Sequence, residues 1–241
     1  MTYEVISISN QEPTAWYYLY KQYFQSLTSM GVTPKVYQPS FWGGLGTKPK
    51  VLYELIKNKT IVTSHIIFTD CWDLIFTAHP DEIMEAYKIF NAPLVISTES
   101  NCFPNDLKED FDNRQPPTKY KYLNSGFICG EVEALLTLLE EMDLPNMPDD
   151  HYDPVKNCNV HPNDQFEYQK LAIKHPELIA LDYEQILSQT LHGENIDNFD
   201  LSKERIRNKT TNSYPCTLHF NGGSKDDMPL REPILKHLNL L

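Results

Sequence analysis

The sequence predicts an α/β fold with a mostly parallel central sheet. Short apolar or β-branched runs alternate with segments of helical period along the whole chain, the pattern of successive strand–helix units. One run, His65 to Phe68, is apolar without alternation, as suits a strand covered on both faces, and carboxylates arrive as it stops. No internal repeat or low-complexity linker breaks the pattern, and 241 residues suit one domain over 1–241.

Taken in order, Tyr3 to Ser9 reads as a buried strand feeding a polar loop, and Thr14 to Met30 as an aromatic-rich helix stopped by Gly31. A short strand over Lys35 to Tyr37 follows. The loop Pro39 to Lys50 holds three of the chain's nine glycines and leads to a helix over Val51 to Asn58. Beyond the His65 strand, Pro80 to Phe90 is helical with acidic residues in its first turn, and Pro93 to Ser97 is a strand. Asn105 to Lys121, polar and proline-bearing, is expected to be a mobile loop. Leu123 to Cys129 reads as a strand, and Glu131 to Met142 as a helix with Leu135, Leu138 and Leu139 on one face. Four prolines make Leu144 to Pro162 an excursion rather than an element. A helix over Asp164 to His175, a strand over Leu178 to Asp182, a polar stretch from Gly193 to Ser213 and a closing segment PCTLHFNGGSK complete the chain.

Lysine and arginine number 21 against 33 acidic residues, a net charge of −12, which argues against a general grip on nucleic acid. The carboxylate excess suits either a bound divalent cation or a plain solvated surface. No apolar run approaches the roughly 20 residues of a membrane span. Five cysteines without tight pairing point to a reducing compartment, and the first residues lack a secretory pattern, so a cytoplasmic location is expected.

Chemistry concentrates in a few clusters. Asp70-Cys71-Trp72-Asp73 follows an apolar strand, where ligands of open α/β sheets collect. Two carboxylates three apart can converge on Mg²⁺ or Mn²⁺; equally, Asp70 can cap a turn while Asp73 makes a surface pair. His219 to Lys225 sets an imidazole, an amide, flexible glycines and an ammonium together, either a metal-and-phosphate loop or a core histidine followed by a plain turn. Asn124-Ser125-Gly126, Asn163-Asp164-Gln165 and Thr98-Glu99-Ser100 offer polar groups that serve a sugar site or a turn and cap equally well. Trp42, Gly43, Gly44, Lys48 and Lys50 form a candidate phosphate-facing loop.

In their shared order, FTDCWDLIF, VISTESNCFP, YLNSGFICG, NDQFEYQKL and LHFNGGSK resemble the glycosyltransferase domain of the procollagen lysyl hydroxylase family and its viral relatives. The resemblance implies a GT-A fold, a UDP-sugar donor and Mn²⁺ or Mg²⁺ held by Asp70, Asp73 and His219. It implies Trp72 against the nucleoside, Ser7 and Trp42 near the uridine, and Lys50 and Lys225 at the diphosphate, with Asn221 and Gly222 in the same loop. Asn124, Ser125, Asp164 and Gln165 would face the donor sugar and acceptor, with Asp164 the first candidate for the base and Glu99 the second. Two departures stand out: Val160-His161-Pro162-Asn163 replaces the family's acidic run, and Phe103 replaces a family tryptophan.

The expected activity is transfer of glucose or galactose to an acceptor hydroxyl, such as hydroxylysine, by a stand-alone cytoplasmic enzyme. Two alternatives are a viral transferase acting on a hydroxymethylated DNA base, for which KERIRNK (203–209) supplies local positive charge, and a non-catalytic nucleotide-sugar binding protein.

Overall fold

A computed structural model describes residues 1–10, 19–153, 158–160, 163–222 and 229–241. Its central sheet has the order β2-β1-β3-β6-β5-β9, formed by β1 (Tyr3–Ile8), β2 (Lys35–Tyr37), β3 (His65–Thr69), β5 (Leu94–Glu99), β6 (Tyr122–Glu131) and β9 (Ile179–Asp182). β1 pairs in parallel with β2 and β3, and β5 with β9; β6 runs antiparallel between β3 and β5. The sheet is therefore mostly parallel, as the alternation of runs predicts.

Alternate residues of each strand sort into two cores. Ile6, Ile66, Phe68, Ile96 and Ile128 face α2 (Thr47–Lys57), α5 (Val132–Glu141) and α6 (Asp164–Lys174). Val5, Ile67, Val95, Phe127 and Cys129 face α1 (Tyr20–Thr28) and α3 (Pro80–Tyr87) on the other side. In α5, Leu135, Leu138 and Leu139 are fully buried, each contributing roughly 1.5–3 kcal/mol. His79 caps α3 by accepting from the Asp81 N–H, and Pro80 starts the helix where its missing N–H costs nothing.

A second sheet, of order β10-β13-β4, combines β4 (Leu74–Phe76), β10 (Ser188–Thr190) and β13 (Thr217–His219). β13 runs antiparallel to β4, with His219 opposite Leu74, and parallel to β10. Under it, Leu218, Phe220, Ile234 and Leu235 form a third cluster with α7 (Arg231–His237). These three-residue strands and α7 carry too little periodicity to be expected from sequence.

Other boundaries also differ. α2 begins at Thr47 rather than Val51, because Pro49 fits a helix's first turn. β5 continues through Glu99. The segment expected to be a loop over Asn105 to Lys121 contains α4 (Lys108–Asp112), pinned by the fully buried Phe111 and Tyr120. The excursion from Leu144 to Pro162 includes a hairpin of β7 (His151–Asp153) and β8 (Cys158–Val160). The polar stretch after Gly193 holds a two-stranded ribbon, β11 (Phe199–Asp200) with β12 (Arg207–Asn208). The expected helical residues 14–18 lie outside the described residues. Among the described residues no helix is long and apolar enough to cross a membrane.

Candidate active site

The site lies where β3 ends and the two sheets meet. Asp70 follows β3, its N–H donating to the Gly126 carbonyl at 2.9 Å. Asp73 precedes β4, and its carbonyl accepts the Phe220 N–H at 2.7 Å, which ties the aspartate loop to the residue after His219. Asp70, Asp73 and His219 thus converge, offering ligand atoms all within 4.8 Å of one another. His219 Nε2 lies 3.4 Å from Asp73 Oδ2 and 4.0 Å from Asp70 Oδ2. Of the two sequence readings of Asp-x-x-Asp, the geometry matches the converging one.

Asn124, Ser125 and Gly126 reach this point because β6 bulges. Between the pairs Ile96↔Ile128 and Thr98↔Leu123, four residues of β6, Asn124 to Phe127, stand against the single Ser97 of β5. Ser97 Oγ donates to the Asn124 carbonyl at 2.8 Å and stitches the bulge. Gly126 is required here: a Cβ would stand 2.2 Å from His219 Cε1, so the imidazole rests on bare backbone.

Behind the three ligand candidates, Glu99 Oε1 accepts from Asn124 Nδ2 and Gln165 Nε2, and Oε2 from Asn221 Nδ2, each at 3.0 Å. Burial raises the Glu99 pKa above the ordinary carboxylate value, opposed by the amide donors. Asn124 Oδ1 lies 3.1 Å from His219 Nδ1 and accepts the Gly126 N–H. Gln165 Oε1 accepts the Ser125 N–H, and Asn221 Oδ1 the N–H groups of Leu191 and His192. Gly222, with φ +102, lies against His192, where a Cβ would meet Nδ1 at 2.2 Å.

Lys48, in the first turn of α2, is buried and reaches Asp70 Oδ1 at 2.6 Å and Asp164 Oδ2 at 3.5 Å. Desolvation opposes its charge, but Asp164 and Asp70 outweigh that and raise its pKa. Asp164 opens α6, where Asn163 caps the helix; burial raises its pKa against the opposing charge of Lys48. Lys50 instead donates to the Met147 carbonyl at 2.7 Å and pairs with Asp149 at 3.3 Å. The sequence placed Lys48 and Lys50 together in a phosphate-facing loop and the resemblance gave the diphosphate role to Lys50; of the two, Lys48 is the one that reaches the cluster. Its signal was a lysine inside a helix's first turn, legible only once α2 is known to start at Thr47.

Trp72 stacks on Tyr20 with centroids 4.4 Å apart and planes 29° from parallel. Ser7, at the buried end of β1, donates to the Thr69 carbonyl. Trp42 is half-buried against the core face of α2 and α5. Lys225 lies outside the described residues.

The donor set suits a divalent cation. Two carboxylates in partly buried positions repel one another unless a positive charge lies between them. An amide oxygen at Nδ1 leaves Nε2 as the lone-pair nitrogen facing the carboxylates, the arrangement of a metal-binding histidine.

An α/β sheet ending in an Asp-x-x-Asp loop, closed by a histidine from a second small sheet, defines a GT-A glycosyltransferase fold. Residues 20–231 match the family described as the PLOD GT domain. The chain belongs to that family and is a glycosyltransferase of it. It is 32% identical over 163 residues to uncharacterized protein R699 of Acanthamoeba polyphaga mimivirus, covering 66% of this chain and 32% of that protein. Procollagen-lysine,2-oxoglutarate 5-dioxygenase of Drosophila melanogaster is 30% identical over 196 residues, 77% of this chain and 25% of the relative. The chain therefore spans a third or less of these curated relatives. Among solved structures, a glycosyltransferase involved in the glycosylation of the major capsid of PBCV-1 superposes with a TM-score of 0.51 at 12% identity, covering 99% of this chain and 100% of the other. That likeness is one of fold.

Proposed function

We propose that this chain, as one domain over 1–241, transfers glucose or galactose from UDP to an acceptor hydroxyl with the help of Mn²⁺ or Mg²⁺. The observation that carries the reading is the convergence of Asp70, Asp73 and His219. When bound there, a divalent cation supplies Lewis-acid stabilisation of the charge that grows on the departing diphosphate. Lys48, joined to Asp70, is the nearest described ammonium and adds to that stabilisation. Trp72, braced by Tyr20, presents an aromatic face to the uracil. Gly222 and Asn221 line the diphosphate side, and Ser7 and Trp42 the uridine side. Lys225 is retained as a further diphosphate contact from sequence.

Asp164 is assigned as the base that takes the acceptor proton. It is buried beside Lys48, whose charge opposes the rise that burial imposes on its pKa, as suits a group that accepts a proton. Glu99, surrounded by three amide N–H donors, has its acceptor capacity engaged within the protein. Asn124, Ser125 and Gln165 shape the sugar side of the pocket.

The acceptor is assigned as a hydroxylated protein side chain, hydroxylysine being the family's example, rather than a DNA base. In the basic stretch, Arg205 pairs with Glu82 at 3.0 Å, Arg207 with Asp200 at 4.0 Å, and Lys209 donates to the Asp197 carbonyl at 3.1 Å. Two of the four cations of this stretch, Arg205 and Arg207, are thus paired with carboxylates, which weakens its hold on a phosphate backbone. Free thiols at Cys71, Cys102, Cys129 and Cys216 support a reducing, cytoplasmic setting.

Calorimetry with UDP in the presence and absence of Mn²⁺ tests the donor half. Assays of UDP-glucose and UDP-galactose against hydroxylysine peptides and hydroxymethylated DNA test the acceptor half. Metal-dependent UDP binding and transfer to the peptide are expected. Full activity of Asp73→Ala with added Mn²⁺ would overturn the reading, and donor hydrolysis without transfer to any acceptor would favour a binding protein.

A further inference from the structure

Three side-chain amides meet one carboxylate behind the ligand cluster, and the carboxylate decides which way each amide faces. An ionised carboxylate only accepts hydrogen bonds. Glu99 therefore takes the NH₂ end of Asn124, Gln165 and Asn221, at 3.0 Å in each case. Each carbonyl oxygen must then point away, and each finds N–H donors there: Gly126 and His219 for Asn124, Ser125 for Gln165, Leu191 and His192 for Asn221. Turning the Asn124 amide over would set its NH₂ against the Gly126 N–H and its oxygen against the Glu99 carboxylate. Both contacts would be repulsive in a buried place.

The chain of consequence ends on the imidazole. With an oxygen fixed 3.1 Å from Nδ1, the proton of neutral His219 sits on Nδ1, and Nε2 presents its lone pair toward Asp73 at 3.4 Å. Gly126 holds the ring in this plane, since its missing side chain is the space the ring occupies.

We propose that Glu99 is a positioning residue that sets the tautomer of His219 through the amide of Asn124, so that the nitrogen facing Asp70 and Asp73 is the one able to bind a cation. The tautomer stands on the hydrogen-bond geometry alone; its use in metal capture rests on the function proposed above. Glu99 reaches His219 through Asn124, two contacts away. Sequence gives no hint of this link, because the three amides lie 25, 66 and 122 positions from the carboxylate.

Long-range ¹H–¹⁵N correlation spectra of the metal-free protein, recorded at a pH where the ring is seen to carry a single proton, read the tautomer directly. The wild-type His219 is expected to carry its proton on Nδ1 alone. Glu99→Gln, which brings a donor NH₂ among the amides, is expected to populate the Nε2–H form. Glu99→Gln combined with Asn124→Asp lets residue 99 donate to a carboxylate that still accepts from Nδ1, and is expected to restore the Nδ1–H form. A wild-type proton on Nε2, or an unchanged tautomer in folded Glu99→Gln, overturns the proposal. If that single variant does not fold, failure of the folded double variant to hold the Nδ1–H form overturns it.

Mn²⁺ titrations followed by electron paramagnetic resonance read the consequence. Glu99→Gln is expected to weaken Mn²⁺ binding about tenfold. Equal affinity in wild type and Glu99→Gln overturns the link to metal capture. Absence of Mn²⁺ binding by the wild type overturns the metal reading instead, and the tautomer spectra then decide the role of Glu99 by themselves.

Discussion

Two polar regions lie side by side at the end of the central sheet and are built on opposite principles. Around Glu99 every donor has an acceptor supplied by the chain, so the region is complete on folding. Around Asp70, Asp73 and His219 ligand atoms gather within 4.8 Å of one another, with Lys48 in contact with Asp70 at 2.6 Å. The first region resembles a buried core made of hydrogen bonds; the second brings two carboxylates and an imidazole to one point. The contrast teaches that the rigid frame and the ligand candidates are adjacent but separate groups, the second held in place by the first.

The sharpest way to break this comparison is Asp73→Asn. With Mn²⁺ present kcat is expected to fall by roughly three orders of magnitude, while the melting temperature of the metal-free protein changes little, because Asn keeps the shape of the side chain. A matching loss of stability would show that Asp73 is structural. Next in size, Mn²⁺ at about 100 times its Kd is expected to raise the unfolding free energy of the wild type by about 2.7 kcal/mol, and to leave Asp73→Asn unmoved in the same denaturant titration.

The complete region should respond the other way. Asn221→Ala strands the N–H groups of Leu191 and His192, and is expected to cost about 1–3 kcal/mol in urea unfolding whether or not metal is present. A smaller contrast separates two lysines. Lys48→Met is expected to lower kcat about tenfold, as loss of a charge-assisted contact to the departing group does, whereas Lys50→Met should change it less than about twofold. Equal effects would return Lys50 to the diphosphate.

The smallest effect concerns pH. Burial pushes the Asp182 carboxyl up to about 6, despite the N–H groups of Ile186, Leu187 and Ser188 that favour its charged form. The folded protein then holds this proton to higher pH than the unfolded chain does. Its contribution to stability is present in full below the ordinary carboxylate value and fades as pH rises through about 6. A carboxyl ¹³C titration of Asp182 with a midpoint near 4 would contradict this.

What the sequence disclosed follows physical signal strength. β1 and β3 were legible because Val5 to Ile8 and His65 to Phe68 are continuous buried runs, and α5 because Leu135, Leu138 and Leu139 keep a helical period. β4 and β13 are three residues each, below the length at which alternation means anything, and they pair only because the rest of the fold brings them together. Asp70, Asp73 and His219 were nominated by short motifs and a resemblance in their order, while their meeting is a tertiary fact. Lys48 and Lys50 are indistinguishable as residues; helical geometry alone sends one inward and the other to Asp149.

The pairing of β4 with β13 joins an early segment to a late one, with His219 opposite Leu74. A nascent chain emerging from a ribosome holds both aspartates long before it holds the imidazole. The three ligand candidates can meet only after β13 has been made, so a translation product that stops before β13 is expected to lack the cluster.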